Sequence, residues 1–361
     1  MKSTPKGAGL QTPTASYQLD HLAVICIIMD IPLLCLDDTD LELAAKYYPG
    51  VKAQKVEYSE FTPEALVTNY DVLFTSDLSQ TLPKQFQVLE KLHHKKLRHV
   101  FCPHGFSDKV FYFKCCAKED IVLVYGQNML DLFNAENILQ TINSYVLVGN
   151  YRYAFYKKNK KFYDDLAEKE VWSRFAKDKK TILYAPTWSD KENSGTFFEA
   201  TSILIDQLPS HYNLLVKLHP RLELDDITGY YQLIGKYEHR GDVLFLNQYP
   251  PVYPILARSD IYVGDMSSVG YDYLAFNRPM FFLSKMQRDS KTERSNYLSR
   301  CGVSVRPDQY PDIYKMIESH LEEDQTPLHE IRQEAYKYTF AEGISFSSIR
   351  ESIILATKNK S

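Results

Sequence analysis

Ile261-Tyr262-Val263-Gly264-Asp265-Met266-Ser267-Ser268-Val269-Gly270-Tyr271-Asp272 reads as a strand that ends in a turn and passes into a helix. The first three residues are apolar and β-favouring, Gly264 and Asp265 break the run, and the two serines stand where a helix N-terminus is predicted. Working outward, short apolar runs of strand length alternate with longer segments of helical spacing, the pattern of βα units feeding a parallel sheet. Strands are expected near Pro32–Leu36, Ala53–Glu57, Val72–Thr75, Arg98–Cys102, Ile121–Val124 and Tyr145–Val148, and again near Thr181–Tyr184, Asn213–Lys217, Val243–Leu246, Asp260–Val263 and Met280–Leu283. Helices are expected near Asp38–Tyr47, Thr62–Asn69, Leu82–His94 and Gln127–Asn134. The class is α/β, with two parallel sheets.

A chain of 361 residues suits two domains of roughly 100–200 residues each. Tyr151–Lys180 is rich in charge and poor in strand signals, which places the boundary there and gives domains over 17–165 and 166–361. Residues 1–16, rich in Ser, Thr, Pro and Gly, are expected to form a flexible tail. Helical spacing from Leu328 to Lys358 suggests C-terminal helices that cross back over both domains.

Composition removes several classes of function. With 44% hydrophobic and 24% charged residues the chain holds enough apolar material for real cores, so global disorder is excluded. Lys plus Arg total 42 against 46 Asp plus Glu, a net charge of −4 without the basic excess of a nucleic-acid-binding module. The longest apolar stretch, Leu22–Leu36, is interrupted by Asp30 and Pro32 and falls short of the about 20 residues a spanning helix needs. A cytoplasmic protein is expected. The six cysteines, at 26, 35, 102, 115, 116 and 301, lie mostly in apolar runs without C-x-x-C spacing and read as buried thiols in a reducing compartment. No P-loop, dinucleotide-binding glycine pattern or nucleophile elbow occurs.

Open parallel sheets bind ligands beyond the carboxyl ends of their strands. Four such ends carry polar clusters: Cys102-Pro103-His104-Gly105-Phe106-Ser107-Asp108-Lys109, Tyr184-Ala185-Pro186-Thr187-Trp188, Lys217-Leu218-His219-Pro220-Arg221, and Gly264 to Asp272. The helix start at Ser267 and Ser268 offers N–H groups and hydroxyls to a phosphate. Taken alone, Ser267 reads better as an N-cap worth about 1 kcal/mol. Lys217, His219 and Arg221 add positive charge at a second strand end, and together they describe a pyrophosphate site. His104 stands in a turn between Pro103 and Gly105; a histidine with a pKa of about 6.5 is the usual base for deprotonating a hydroxyl at neutral pH. A lone histidine is more often structural, but the crowding of Gly105, Ser107, Asp108 and Lys109 beside this one favours the catalytic reading.

Two further signals read more blandly. Asp38-Thr39-Asp40 spells a D-x-D metal motif but also the acidic first turn of a helix, which is the preferred reading. The aromatic and basic run Tyr151–Tyr163 suits an interdomain helix with a solvated basic face, with contact to an anionic inner membrane surface as the alternative.

In combination, the His104-Gly105 turn with Ser107-Asp108-Lys109, then Gly149-Asn150-Tyr151-Arg152, Tyr184-Ala185-Pro186-Thr187-Trp188, Lys217-Leu218-His219-Pro220, and Asp265-Met266-Ser267-Ser268 with Asp272 resemble the CDP-glycerol glycerophosphotransferase family of teichoic-acid primases and polymerases. The pieces occur in the family's order over about residues 95 to 285. The resemblance implies a GT-B fold: two Rossmann-like domains facing across a cleft, the first on the acceptor side and the second binding the nucleotide donor. It implies His104 as general base, and His219, Ser267 and Ser268 as donor-phosphate ligands, with Lys217, Arg221, Thr187, Asp265 and Asp272 around them. Gly105, Ser107, Asp108 and Arg152 match motif positions of less defined role. The expected reaction moves glycerol phosphate or ribitol phosphate from a CDP-alcohol to a hydroxyl of a lipid-linked or polymeric acceptor and releases CMP. The CDP-alcohol is a substrate, and no cofactor or metal is called for. Two other readings share these residues: a GT-B glycosyltransferase using a UDP- or CMP-sugar, and a nucleotide-binding protein without turnover. The first domain resembles the family weakly, which leaves the acceptor undefined.

Overall fold

The structure, a computed structural model, describes residues 5–13, 16–76, 82–109, 113, 116, 119–189, 195–285, 294–322 and 326–358. It divides into two units, Met1–Phe155 with Tyr338–Ser361, and Tyr156–Lys337. The division therefore falls at 155/156 and not at 165/166, and the C-terminal stretch from Tyr338 clusters with the first unit.

Among the described residues the first unit holds seven strands: β1 (Gly7–Gln11), β2 (Pro32–Cys35), β3 (Lys52–Lys55), β4 (Val72–Thr75), β5 (Arg98–Phe101), β6 (Ile121–Val124) and β7 (Tyr145–Leu147). They form one parallel sheet in the order β3-β2-β1-β4-β5-β6-β7. The inner strands are buried along both faces, as parallel strands covered by helices must be. The edge strand β3 is largely exposed and carries Lys52 and Lys55, charges that discourage further pairing along its open side.

β1 corrects the sequence reading, in which residues 1–16 are a flexible tail; residues 1–4 and 14–15 of that span lie outside the described residues. Gly7 to Gln11 is a buried central strand paired with both β2 and β4. Its Gly-Ala-Gly composition lacks β-branched residues, so local propensity conceals it. The small residues are required by packing: a Cβ on Gly9 would lie 2.3 Å from Cys26 Sγ on the helix Leu19–Met29.

The second unit repeats the plan with β8 (Lys180–Ala185), β9 (Tyr212–Lys217), β10 (Val243–Leu246), β11 (Ile261–Gly264), β12 (Met280–Leu283) and β13 (Val303–Val305), a parallel sheet in the order β10-β9-β8-β11-β12-β13. Each sheet starts at an inner strand, builds outward to one side, then returns to build on the other. This reversal creates a switch point beside β1 and beside β8, where loops diverge and leave room for ligands.

Helix starts follow side-chain caps. Thr62 accepts the Ala65 N–H with Pro63 in the first turn, and Asp226 accepts the Gly229 N–H. In the D-x-D stretch Asp37 is the cap, accepting the Asp40 N–H at 2.7 Å, and Asp38 pairs with Lys55. Asp40 is buried, and burial, with Asp37 beside it, pushes its carboxyl up to about 7, which suits a helix start better than metal ligation. In the aromatic and basic run, Tyr151, Phe155, Tyr156 and Tyr163 are buried while Lys157, Lys158, Lys160 and Lys161 face solvent. Cys26, Cys35, Cys102, Cys116 and Cys301 are buried, and Cys115 lies outside the described residues. Among the described residues no helix is long and apolar enough to cross a membrane.

Candidate functional site

In the second unit the carboxyl ends of β9, β8 and β11 are neighbours, which brings three of the sequence clusters onto one edge. Asp265, immediately after β11, is 1% exposed and serves as a clasp. Its two oxygens accept the Thr187 N–H at 2.9 and 3.0 Å, and Oδ2 also accepts the Thr196 N–H and hydroxyl, each at 3.1 Å. With the Thr196 hydrogen given to Asp265, the Tyr184 hydroxyl, 2.9 Å away, donates to Thr196 Oγ1. Burial raises the Tyr184 phenol well above its ordinary value, with the Asp265 charge adding to the shift, so that proton is retained. Asp265 thus ties the loop after β11 to the loop after β8, spending its acceptors on the scaffold and not on a ligand. Asp265→Asn is expected to cost about 1–3 kcal/mol in denaturant unfolding, because a buried donor loses its acceptor.

On the other side of β8, the Arg221 guanidinium lies 3.9 Å from the centroid of the Trp188 ring, and the His219 ring is tilted at 35° to Trp188 with centroids 6.4 Å apart. The Arg221 backbone N–H donates to His219 Nδ1 at 3.2 Å. An Nδ1 that accepts leaves the hydrogen of neutral imidazole on Nε2, so His219 presents an N–H donor. Lys217 ends β9 in the same loop and is half-buried. These residues offer cationic and N–H groups suited to phosphate oxygens.

Ser267 is the N-cap of the helix Ser268–Tyr273, its hydroxyl oxygen accepting the Val269 N–H at 3.3 Å. Capping uses the oxygen and leaves the hydroxyl hydrogen to be donated, so cap and phosphate ligand are compatible roles. Ser268 opens the helix and is half-buried. Asp272, on the buried side, accepts the Tyr253 O–H at 2.8 Å and holds this helix to Tyr253–Leu256. Like Asp265, it is committed to the framework.

In the first unit, His104 follows β5 and is half-buried. Gly105 has φ +110°, a conformation that side chains with a Cβ rarely adopt, which explains the glycine in the turn. His104 Nδ1 lies 3.2 Å from the Ser76 carbonyl oxygen, and the Tyr17 ring meets the imidazole edge-on at 5.4 Å. A carbonyl oxygen only accepts, so Nδ1 carries the hydrogen and the lone pair resides on Nε2. His104 and His219 therefore hold opposite tautomers: a lone pair on one Nε2, a hydrogen on the other.

Ser107 accepts the Lys109 N–H at 3.4 Å, and Asp108 and Lys109 are buried. Arg152 does not sit in an open anion site. It is buried and pairs with Asp20 at 2.7 Å, while Tyr48 donates to the other Asp20 oxygen at 3.0 Å. Thr196, and Tyr125 with His21, whose ring nitrogen lies beside the Tyr125 hydroxyl that accepts the Gly105 N–H, join these clusters without having been expected from sequence. Tyr125 follows the end of β6, so the strand-end rule could have found it; Thr196 lies on no strand end and has no such signal.

A family model described as CDP-Glycerol:Poly(glycerophosphate) glycerophosphotransferase matches residues 143–325. The teichoic acid glycerol-phosphate primase of Bacillus subtilis (strain 168) is 29% identical over 153 residues, 40% of this chain and 35% of that protein. The teichoic acid poly(glycerol phosphate) polymerase of Staphylococcus epidermidis is 31% identical over 114 residues, 30% of this chain and 15% of that protein. The matches thus span well under half of either relative. A solved structure of the wall teichoic acid polymerase TagF superposes with a TM-score of 0.68 at 18% identity, covering 98% of this chain and 89% of that one. A TagF variant soaked with CDPG superposes at 0.64 and 15% identity, covering 98% and 87%. At this identity the likeness establishes the fold, which is GT-B-like.

Proposed function

Because the chain belongs to the CDP-Glycerol:Poly(glycerophosphate) glycerophosphotransferase family, we propose that it moves an alcohol phosphate from a CDP-alcohol to a hydroxyl acceptor in wall-polymer synthesis. The donor carries glycerol phosphate or ribitol phosphate, since relatives named for each polymer match this chain. The acceptor oxygen attacks the phosphorus nearest the alcohol, the anhydride P–O bond breaks, and CMP leaves with the bonding electrons. The acceptor proton goes to Nε2 of His104. His219 Nε2–H, Lys217, Arg221 and the hydroxyls of Ser267 and Ser268 stabilise charge on the phosphoryl oxygens and the leaving group.

The observation that carries this reading is the pair of opposed tautomers. The Ser76 carbonyl holds the hydrogen of His104 on Nδ1, whereas the Arg221 N–H holds that of His219 on Nε2. Hydrogen bonding thus supports His104 as the base and His219 as the donor to phosphate.

The test supplies CDP-glycerol labelled at the phosphorus next to glycerol, together with a glycerol-phosphate-primed acceptor. CMP release with label in the acceptor product is expected. Sugar transfer from a UDP- or CMP-sugar, or donor binding without nucleotide release, would overturn the proposal. Replacing both Ser267 and Ser268 with Ala is expected to raise the Kd for CDP-glycerol about 10–100-fold, the loss of hydrogen bonds to a charged group, as read by calorimetry. An unchanged Kd removes the two serines from the donor site.

A further inference from the structure

We infer that Tyr125 is the positioning residue for the His104 turn, gripping the backbone on both sides of the histidine through one hydroxyl. The inference rests on the reading of His104 as the base. The Tyr125 O–H donates to the Pro103 carbonyl at 2.6 Å, and its oxygen accepts the Gly105 N–H at 3.2 Å. The residues before and after His104 are thus tied to a single atom. The third contact of that hydroxyl is His21 Nδ1 at 3.0 Å. With the Tyr125 hydrogen committed to Pro103, His21 must donate, so Nδ1 carries its hydrogen.

The grip is anchored from behind. The Tyr125 ring is 2% exposed, stacks on Tyr151 at 6.3 Å and meets Phe340 edge-on at 5.8 Å. Its carbonyl accepts the Ala341 N–H at 2.9 Å. His21 is held by the Tyr151 hydroxyl on its carbonyl at 3.2 Å. Burial, reinforced by the nearby charges of Arg152 and His104, holds the His21 imidazole well below its ordinary pKa, so its donor role persists as the neutral tautomer.

A turn fixed in this way has a chemical purpose. Gly105 at φ +110° belongs to a backbone that has no helix or strand to define it, yet proton transfer requires Nε2 at a set place. A residue that places a reacting group can cost about 10²-fold when it shifts that group by 1 Å.

Tyr125→Phe keeps the buried ring and deletes the hydroxyl. The expected result is a loss of about 10–100-fold in kcat with the KM for CDP-glycerol within about twofold. The decisive arm is a double-mutant cycle. If Tyr125 acts through His104, then Tyr125→Phe has no further effect in the His104→Ala background. Equal losses in both backgrounds, or kcat within twofold of the parent in the single variant, overturn the positioning role. His21→Leu, which deletes the donor behind the hydroxyl, is the second variant. It is expected to lower kcat in the same direction and to lose that effect without His104; no coupling in either variant overturns the inference. Failure of the base itself reads differently: His104→Ala would then keep full turnover, whatever Tyr125→Phe does.

Discussion

His104→Ala is expected to lower the turnover of alcohol-phosphate transfer by about 10²–10⁴-fold, the range a positioned general base supplies. Binding of CDP-glycerol is expected to persist, because the groups proposed for phosphate stand at the carboxyl ends of β9 and β11 in the other unit. Single-turnover kinetics with saturating donor, beside a calorimetric Kd, separates the two quantities. The variant also deletes the hydrogen bond to the carbonyl of the buried Ser76, a cost of about 1–3 kcal/mol, so its thermal unfolding is measured beside the kinetics. Full activity in this variant would remove the base assignment. Loss of donor affinity in parallel with turnover would move His104 from proton transfer to donor binding.

The second large effect is on stability. Arg152→Met leaves the Asp20 carboxylate buried with the Tyr48 hydroxyl but without its cation. The side chains of Arg152 and Asp20 are 3% and 9% exposed, so water does not compensate. Breaking a buried pair by removing one partner costs about 3–5 kcal/mol, on the order of 10 °C in Tm at roughly 2–4 °C per kcal/mol for a domain of this size. Replacing both partners, as Asp20→Leu with Arg152→Met, is expected to recover most of that loss, because the uncompensated charge is gone. Thermal unfolding of the two variants checks this. A cost below about 1 kcal/mol for Arg152→Met would place the pair among solvent-screened ion pairs.

These two residues show how differently the candidate site could be read in advance. His104 is legible because its signal is local: an apolar strand ends, proline and glycine bracket the turn, and a titratable group stands between them. Arg152 stands in an equally distinctive motif, yet its partner lies 132 residues away, and no local pattern announces that its charge is spent on the scaffold. Asp265 behaves in the same way, its acceptors taken by Thr187 and Thr196, 78 and 69 residues distant. In such positions a motif reports that a polar residue is needed without reporting for what.

The α/β class, twelve residues of strand-to-helix transition at Ile261–Asp272 and the polar clusters at the strand ends were determined by sequence alone, because apolar periodicity and turn chemistry act between near neighbours. The buried place of β1, the return of the chain from Tyr338 to the first unit, the clasp at Asp265 and the Tyr125 grip on the His104 turn were decided only in three dimensions. Each depends on which distant groups meet once the sheets have formed. The two histidine tautomers belong to the same group, since the oxygen or N–H that selects a ring nitrogen is a matter of distance and angle in the folded chain.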